Sequence, residues 1–111
     1  MKVTAVVPVY NEEKTVGGVL EVISSSDKIN KLIIVNGAST DKTHNIIRKF
    51  LPNKNMEVRI INLKNRKGGK GGAVRTAAKH LKSDVVMLFD ADLIGLREEH
   101  IEKLLDPIAK G

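Results

Sequence analysis

Four short runs of aliphatic and β-branched residues, each followed by a stretch with helical spacing, constrain this chain more than any other feature. Val3 to Val9, Leu32 to Val35, Val58 to Leu63 and Val85 to Phe89 read as strands. After the first, Val16, Val19, Leu20 and Ile23 recur at i, i+3, i+4 and i+7, an amphipathic helix. Ile46, Ile47 and Phe50 mark a second helix, stopped by Leu51-Pro52-Asn53. Val74, Ala77, Ala78 and Leu81 mark a third, and Ile101, Leu104, Leu105 and Ile108 a fourth. This βαβαβαβα order predicts an α/β fold with a doubly wound, mainly parallel sheet and right-handed crossovers. The unbroken run Val85–Phe89 predicts a strand buried on both faces, while partial alternation places the third strand nearer an edge. Asn11 is expected to cap the first helix, with Glu12 and Glu13 in its first turn. Residues 65–72 are expected to be a loop, too glycine-rich for a helix interior. Pro107 is expected to disturb the end of the last helix.

At 111 residues the chain is expected to be one domain, 1–111, with a single core. It has no cysteine, which excludes disulfides and thiolate metal sites and suits a reducing compartment. The start lacks signal-peptide anatomy, and no apolar stretch approaches the ~20 residues of a membrane span. A cytoplasmic protein with no transmembrane segment is the expectation. The net charge of +6 is unevenly spread: Lys64, Arg66, Lys67, Lys70, Arg75, Lys79 and Lys82 follow one another with no intervening acid. With one Tyr and two Phe there is no aromatic platform for single-stranded bases, so the partner read here is not nucleic acid. A local basic segment facing a separate acidic pair suits a phosphate–metal site better.

That acidic pair is Asp90-Ala91-Asp92, where the fourth strand becomes a loop. Carboxylates at i and i+2 point to the same side and can hold a hard divalent cation through oxygen. The alternative is that Asp90 caps the next turn and Asp92 is solvated. Three other loops lie at strand ends, where open α/β sheets bind ligands. In Val7 to Glu13, Pro8 stiffens the exit and Tyr10 offers a flat face for a base or ribose, or simply a half-buried ring before a capped helix. Asn36 to Asp41 offers amides and hydroxyls for a polar ligand, or an N-cap by Ser39 or Thr40. Gly68 to Gly72 places backbone N–H groups and Lys70 at a helix start, a natural anion site. It is not a P-loop, because Lys64 and Gly71 stand where that pattern needs Gly and Ser or Thr. A flexible solvated loop is the other reading, with more weight for Lys67 than for Lys70. His44, His80 and His100 follow no metal-ligand spacing and read as solvated.

Together these loops resemble the N-terminal half of the GT-A glycosyltransferases of the family 2 type. Val7-Pro8-Val9-Tyr10-Asn11-Glu12-Glu13 is similar to that family's opening motif, and Asn36 to Asp41 to its Asp-Asp-Gly-Ser-Thr-Asp loop. Arg66 to Arg75 resembles the basic glycine-rich stretch of the polyprenyl-phosphate sugar transferases and glucosyl-3-phosphoglycerate synthases. Asp90-Ala91-Asp92-Leu93 matches the Asp-x-Asp in position and context. The resemblance implies a Rossmann-like sheet of the nucleotide-diphospho-sugar transferase type and a nucleotide-diphosphate-sugar ligand, a UDP-sugar in first choice. Pro8, Val9, Tyr10, Asn11 and Glu12 would wrap the base and ribose, and Asn36 and Gly37 would contact the base. Lys70 would meet the diphosphate, Asp90 and Ala91 the ribose or metal side, and Asp92 would be the principal ligand of Mg²⁺ or Mn²⁺.

Two departures stand out. Asn36 and Gly37 replace the family's loop acids, which would weaken donor affinity or alter donor preference. The family's catalytic base and acceptor pocket follow its Asp-x-Asp, so a truncated donor-binding half, incomplete for transfer alone, is expected. An exposed sheet edge would then favour a homodimer. A Toprim-like nucleic-acid domain and a non-catalytic GT-A-like module are the competing readings.

Overall fold

The computed structural model describes residues 1–51, 53–66 and 68–109. Pro52, Lys67, Lys110 and Gly111 lie outside them, and with them the helix stop assigned to Pro52 and the solvated role assigned to Lys67. The elements are β1 Val3–Val9, α1 Val16–Ser25, β2 Lys31–Asn36, α2 Thr43–Arg48, β3 Glu57–Asn62, α3 Gly69–Ala78, β4 Val85–Leu88 and α4 Glu98–Ala109. All four strands are parallel, in the order β3-β2-β1-β4. The chain therefore steps outward from β1 to β3, then returns to the far side of β1. That reversal opens a crevice between the carboxyl ends of β1 and β4, where such sheets bind ligands.

The two faces are covered unequally. Val3, Ala5, Val7, Leu32 and Ile34 pack with Val16, Val19, Leu20 and Ile23 of α1, Ile47 of α2, and Ile101 and Leu105 of α4. On the other face Val6, Ile33 and Val35 meet Ala73 and Ala77 of α3, with Ile61, Leu63 and Leu81 beside them. Two alanines let α3 lie close to the sheet. Every residue of β1 is buried, as expected of a central strand covered on both sides.

Several expectations are corrected. β4 is an edge strand of four residues, not a doubly buried one: Val86 is 42% and Leu88 59% exposed. α3 covers β1 and β2 and leaves Val86 and Leu88 of β4 exposed. Residues 69–72 form the first turn of α3 rather than a loop. Gly68 makes the turn into it at φ 91°, where a Cβ would sit 3.3 Å from the Gly72 Cα. The buried stripe of α3 is Ala73 and Ala77; Ala78 is exposed and Val74 half-buried. In α4, Ile101 and Leu105 are buried but Leu104 and Ile108 are exposed, and the helix runs through Pro107. Proline there cannot donate to the Lys103 carbonyl, so the helix runs on to Ala109 with one bond fewer. Asn11 does not cap α1, which begins five residues later, and no acid lies in that helix's first turn. Among the described residues no helix is long and apolar enough to cross a membrane.

Candidate functional site

The loop after β1 and the loop after β2 are joined by side chains. Asn11 takes a left-handed φ of 49°. Its Oδ1 accepts from the N–H groups of Thr40 at 2.7 Å and Asp41 at 3.3 Å, while its Nδ2 donates to the Thr40 hydroxyl at 3.2 Å. Asn and Asp tolerate this backbone region because their short polar side chains bond locally. The Asn11 N–H donates to Ser39 Oγ at 3.0 Å, and the Glu12 N–H to Thr43 Oγ1 at 3.0 Å. The Glu13 N–H reaches Asp41 Oδ2, and the Lys42 N–H reaches Glu13 Oε2. Burial raises the Asp41 pKa, but hydrogen bonds from the Thr43 hydroxyl and from the Thr43 and Glu13 N–H groups outweigh it and leave the carboxyl below its ordinary value.

A cleft of about 240 Å³ lies between these loops and α3. β1 contributes Pro8 and Val9, and the following loop Tyr10 and Glu12. Gly37 comes from the loop after β2, Arg66 and Lys70 from the glycine-rich segment, and Asp90, Ala91 and Asp92 from the end of β4. Lys70, in the first turn of α3, forms an ion pair with Asp90. Its hydrogen bond to Asp90 raises the Lys70 pKa against the opposing effect of desolvation, with lesser support from the charges of Asp90 and Asp92. Lysine and both carboxylates thus share one electrostatic neighbourhood, and all three are exposed to solvent.

Two of the expected site residues lie behind the cleft. Asn11 is occupied by the Ser39–Asp41 segment. Asn36 is 4% exposed; its Oδ1 accepts from the Ser39 N–H at 3.2 Å and its Nδ2 donates to Asn62 Oδ1 at 3.2 Å. The same Nδ2 lies 3.4 Å from His44 Nδ1, so His44 is partnered rather than solvated. His80 is likewise bonded to Arg59 at 2.8 Å, and His100 accepts the Arg97 N–H at 3.0 Å. His44 and His80, half-buried and partnered, correct the reading of solvated histidines, whereas His100 is exposed as expected.

Two site residues escaped the sequence reading. The Arg66 guanidinium lies 3.8 Å from the centre of the Tyr10 ring, so one face of that ring already carries a cation. Its signal was present in the acid-free run of bases. Thr15 donates its hydroxyl to the Ala91 carbonyl at 2.8 Å, a link across 76 residues that no local pattern encodes. Elsewhere, Asp27, Glu98 and Glu102 bring carboxylate oxygens within 4.8 Å of one another, but none of them lines the cleft.

The sequence matches the pattern of glycosyl transferase family 2 over residues 4–111. It is 31% identical over 113 residues to the undecaprenyl-phosphate 4-deoxy-4-formamido-L-arabinose transferase of Edwardsiella ictaluri, covering 98% of this chain and 34% of that one. Among solved structures, Staphylococcus aureus TarS 1-349 in complex with UDP superposes with a TM-score of 0.83 at 25% identity, covering 99% of this chain and 32% of the other. The mannosyltransferase PcManGT of Pyrobaculum calidifontis, in complex with GDP-Man and Mn²⁺, gives 0.80 at 27% identity, covering 90% and 30%. The chain spans about a third of the length of these relatives. With the family pattern matched over almost all of its residues, the chain belongs to glycosyl transferase family 2.

Proposed function

We propose that this chain is the donor-binding part of a metal-dependent glycosyltransferase, taking a nucleotide-diphosphate sugar with UDP as the first-choice nucleotide. The observation that carries this reading is the meeting of Lys70, Asp90 and Asp92 with Tyr10 in one cleft at the β1–β4 reversal. The UDP and the GDP-Man with Mn²⁺ held by the related TarS and PcManGT support it.

The donor set fits a hard cation. Asp90 and Asp92 offer carboxylate oxygens from one short loop, and both stay open to solvent, so phosphate and water oxygens can join them. These two residues would hold Mg²⁺ or Mn²⁺, which when bound would neutralise charge on a departing diphosphate. Lys70 reaches the diphosphate by leaving Asp90, at the N-terminus of α3, where the Gly69 and Gly72 N–H groups are already bonded to the Arg66 and Gly68 carbonyls. Tyr10, backed by Arg66, presents its other face to the base or ribose, with Pro8 and Val9 as the rigid floor. Asn11 and Asn36 act from behind, by fixing the loop that presents Gly37.

Transfer also needs an acceptor held against the anomeric carbon and a group to take its proton. We assign both to the parts of the relatives that this chain, about a third of their length, does not cover, so these residues bind donor without transferring it. The uncovered edge at Val86 and Leu88 supports self-association, which light scattering would register as a species larger than a monomer. The cysteine-free sequence keeps a reducing, cytoplasmic compartment as the setting.

Titration with UDP plus MnCl₂, set beside single-stranded DNA, tests the reading. Saturable UDP binding with weak, salt-sensitive DNA binding is expected. Tighter binding of DNA than of UDP would favour the nucleic-acid alternative and overturn the proposal. UDP-glucose turnover by the pure chain, abolished by Asp92→Asn, would overturn the division of labour alone.

A further inference from the structure

Thr15 stands at the N-cap of α1, yet its side chain makes no bond to that helix. Threonine at this position ordinarily accepts a hydrogen bond from an N–H two or three residues on. Here the hydroxyl has turned the other way and donates to the Ala91 carbonyl at 2.8 Å. A hydroxyl has one proton to give. The second acceptor in range, Glu12 Oε2, is farther at 3.4 Å, so the Ala91 carbonyl takes the bond.

Ala91 is the residue between the two carboxylates, and it is 5% exposed. Backbone bonds lie on either side of it: the Phe89 N–H donates to the Val6 carbonyl, and the Leu93 N–H to the Asp90 carbonyl at 3.3 Å. Among the described residues, side chains bond the segment Asp90 to Asp92 through the Lys70–Asp90 ion pair and the Thr15 hydroxyl. It anchors that segment to the start of a well-buried helix.

We infer that Thr15 is a positioning residue: its hydroxyl holds the Ala91 peptide so that Asp90 and Asp92 present their carboxylates together to a divalent cation. This rests on the nucleotide–metal reading for its consequence, but the hold itself can be measured without any ligand. Threonine does this where valine, of the same shape, does not, because only the hydroxyl reaches the carbonyl.

Thr15→Val and Thr15→Ser should therefore part company. In hydrogen exchange of the ligand-free protein, Thr15→Val should speed exchange of residues 89–96 by roughly 2- to 10-fold. Residues 31–36 in β2 should keep their rates, and Thr15→Ser should match wild type throughout. In calorimetric titration, Thr15→Val should reduce the gain in UDP affinity brought by MnCl₂ by a similar factor, leaving affinity in EDTA within about twofold. Unchanged exchange at 89–96 in Thr15→Val would overturn the inference, as would faster exchange spread equally into β2. A Mn²⁺ gain untouched by a loosened loop would overturn it too. If wild type shows no Mn²⁺ gain while the exchange contrast holds, the proposed function fails and the Thr15 anchor stands.

Discussion

On one side of the cleft, the loops after β1 and β2 are stitched by Asn11, Glu13, Ser39, Asp41 and Thr43 through bonds between side chains and backbone. On the other, among the described residues, α3 and the end of β4 meet through one pair of exposed charges, Lys70 and Asp90. The first wall is satisfied within itself and has little reason to change when a ligand arrives. The second is held by a contact that solvent screens, so its groups can exchange partners at small cost. A preformed wall suits a flat, largely neutral base and ribose. An exchangeable wall suits a cation and a diphosphate, whose charges replace the pair that was there.

The contrast breaks most visibly at Asn11. Asn11→Ala loses its bonds to Thr40 and Asp41 and leaves alanine at a φ of 49°. A stability loss of about 1–2 kcal/mol is expected, a fall of several degrees in Tm. Chemical denaturation measures it, and a wild-type midpoint would show that the wall does not depend on this residue.

Lys70→Ala should do the opposite: unchanged melting, but UDP affinity in MnCl₂ lower by about tenfold. Because Asp90 is then released, Mn²⁺ alone should bind a few-fold more tightly. Lys79→Ala, farther along the basic run, should change neither. If both lysines weaken UDP binding alike, general electrostatics explains the cleft better than a placed ammonium.

Arg66→Ala should have a smaller effect, weakening uridine binding a few-fold by removing the cation from one face of Tyr10. The same loss in a ligand without a base would place Arg66 with the phosphate groups instead.

The smallest effect concerns acid. Asp41 titrates below its ordinary 3.8 in the folded chain, so it contributes stability that is fully present above that value. This contribution is lost as pH falls through the depressed value. Melting curves taken as pH falls from above 3.8 to below it should drop less steeply for Asp41→Asn than for wild type. Parallel curves would remove Asp41 from the wall's account.

The strands were legible because their residues are. β1 and β2 are continuous apolar runs, and α1 shows its buried stripe at helical spacing. β4 misled because an apolar run reports what a strand could bury, not whether a neighbour covers it; α3 lies over β1 and β2 instead. The first turn of α3 was hidden by its glycines, which disfavour a helix locally and are overridden by the packing of Ala73 and Ala77. At the site, Tyr10, Lys70, Asp90 and Asp92 announce themselves through residue type at strand ends. The bonds that orient them, Asn11 to Thr40 and Thr15 to Ala91, join segments far apart in sequence and follow only from the fold.

Calorimetric titration of uridine and of UDP, each in MnCl₂ and in EDTA, tests the two-wall account most directly. Uridine should bind alike in both, because the Tyr10 wall needs no metal ion. UDP should bind about tenfold or more tightly with Mn²⁺, and Asp92→Asn should erase that gain. Equal UDP affinity in MnCl₂ and EDTA, or an equal Mn²⁺ gain for uridine, would contradict the account.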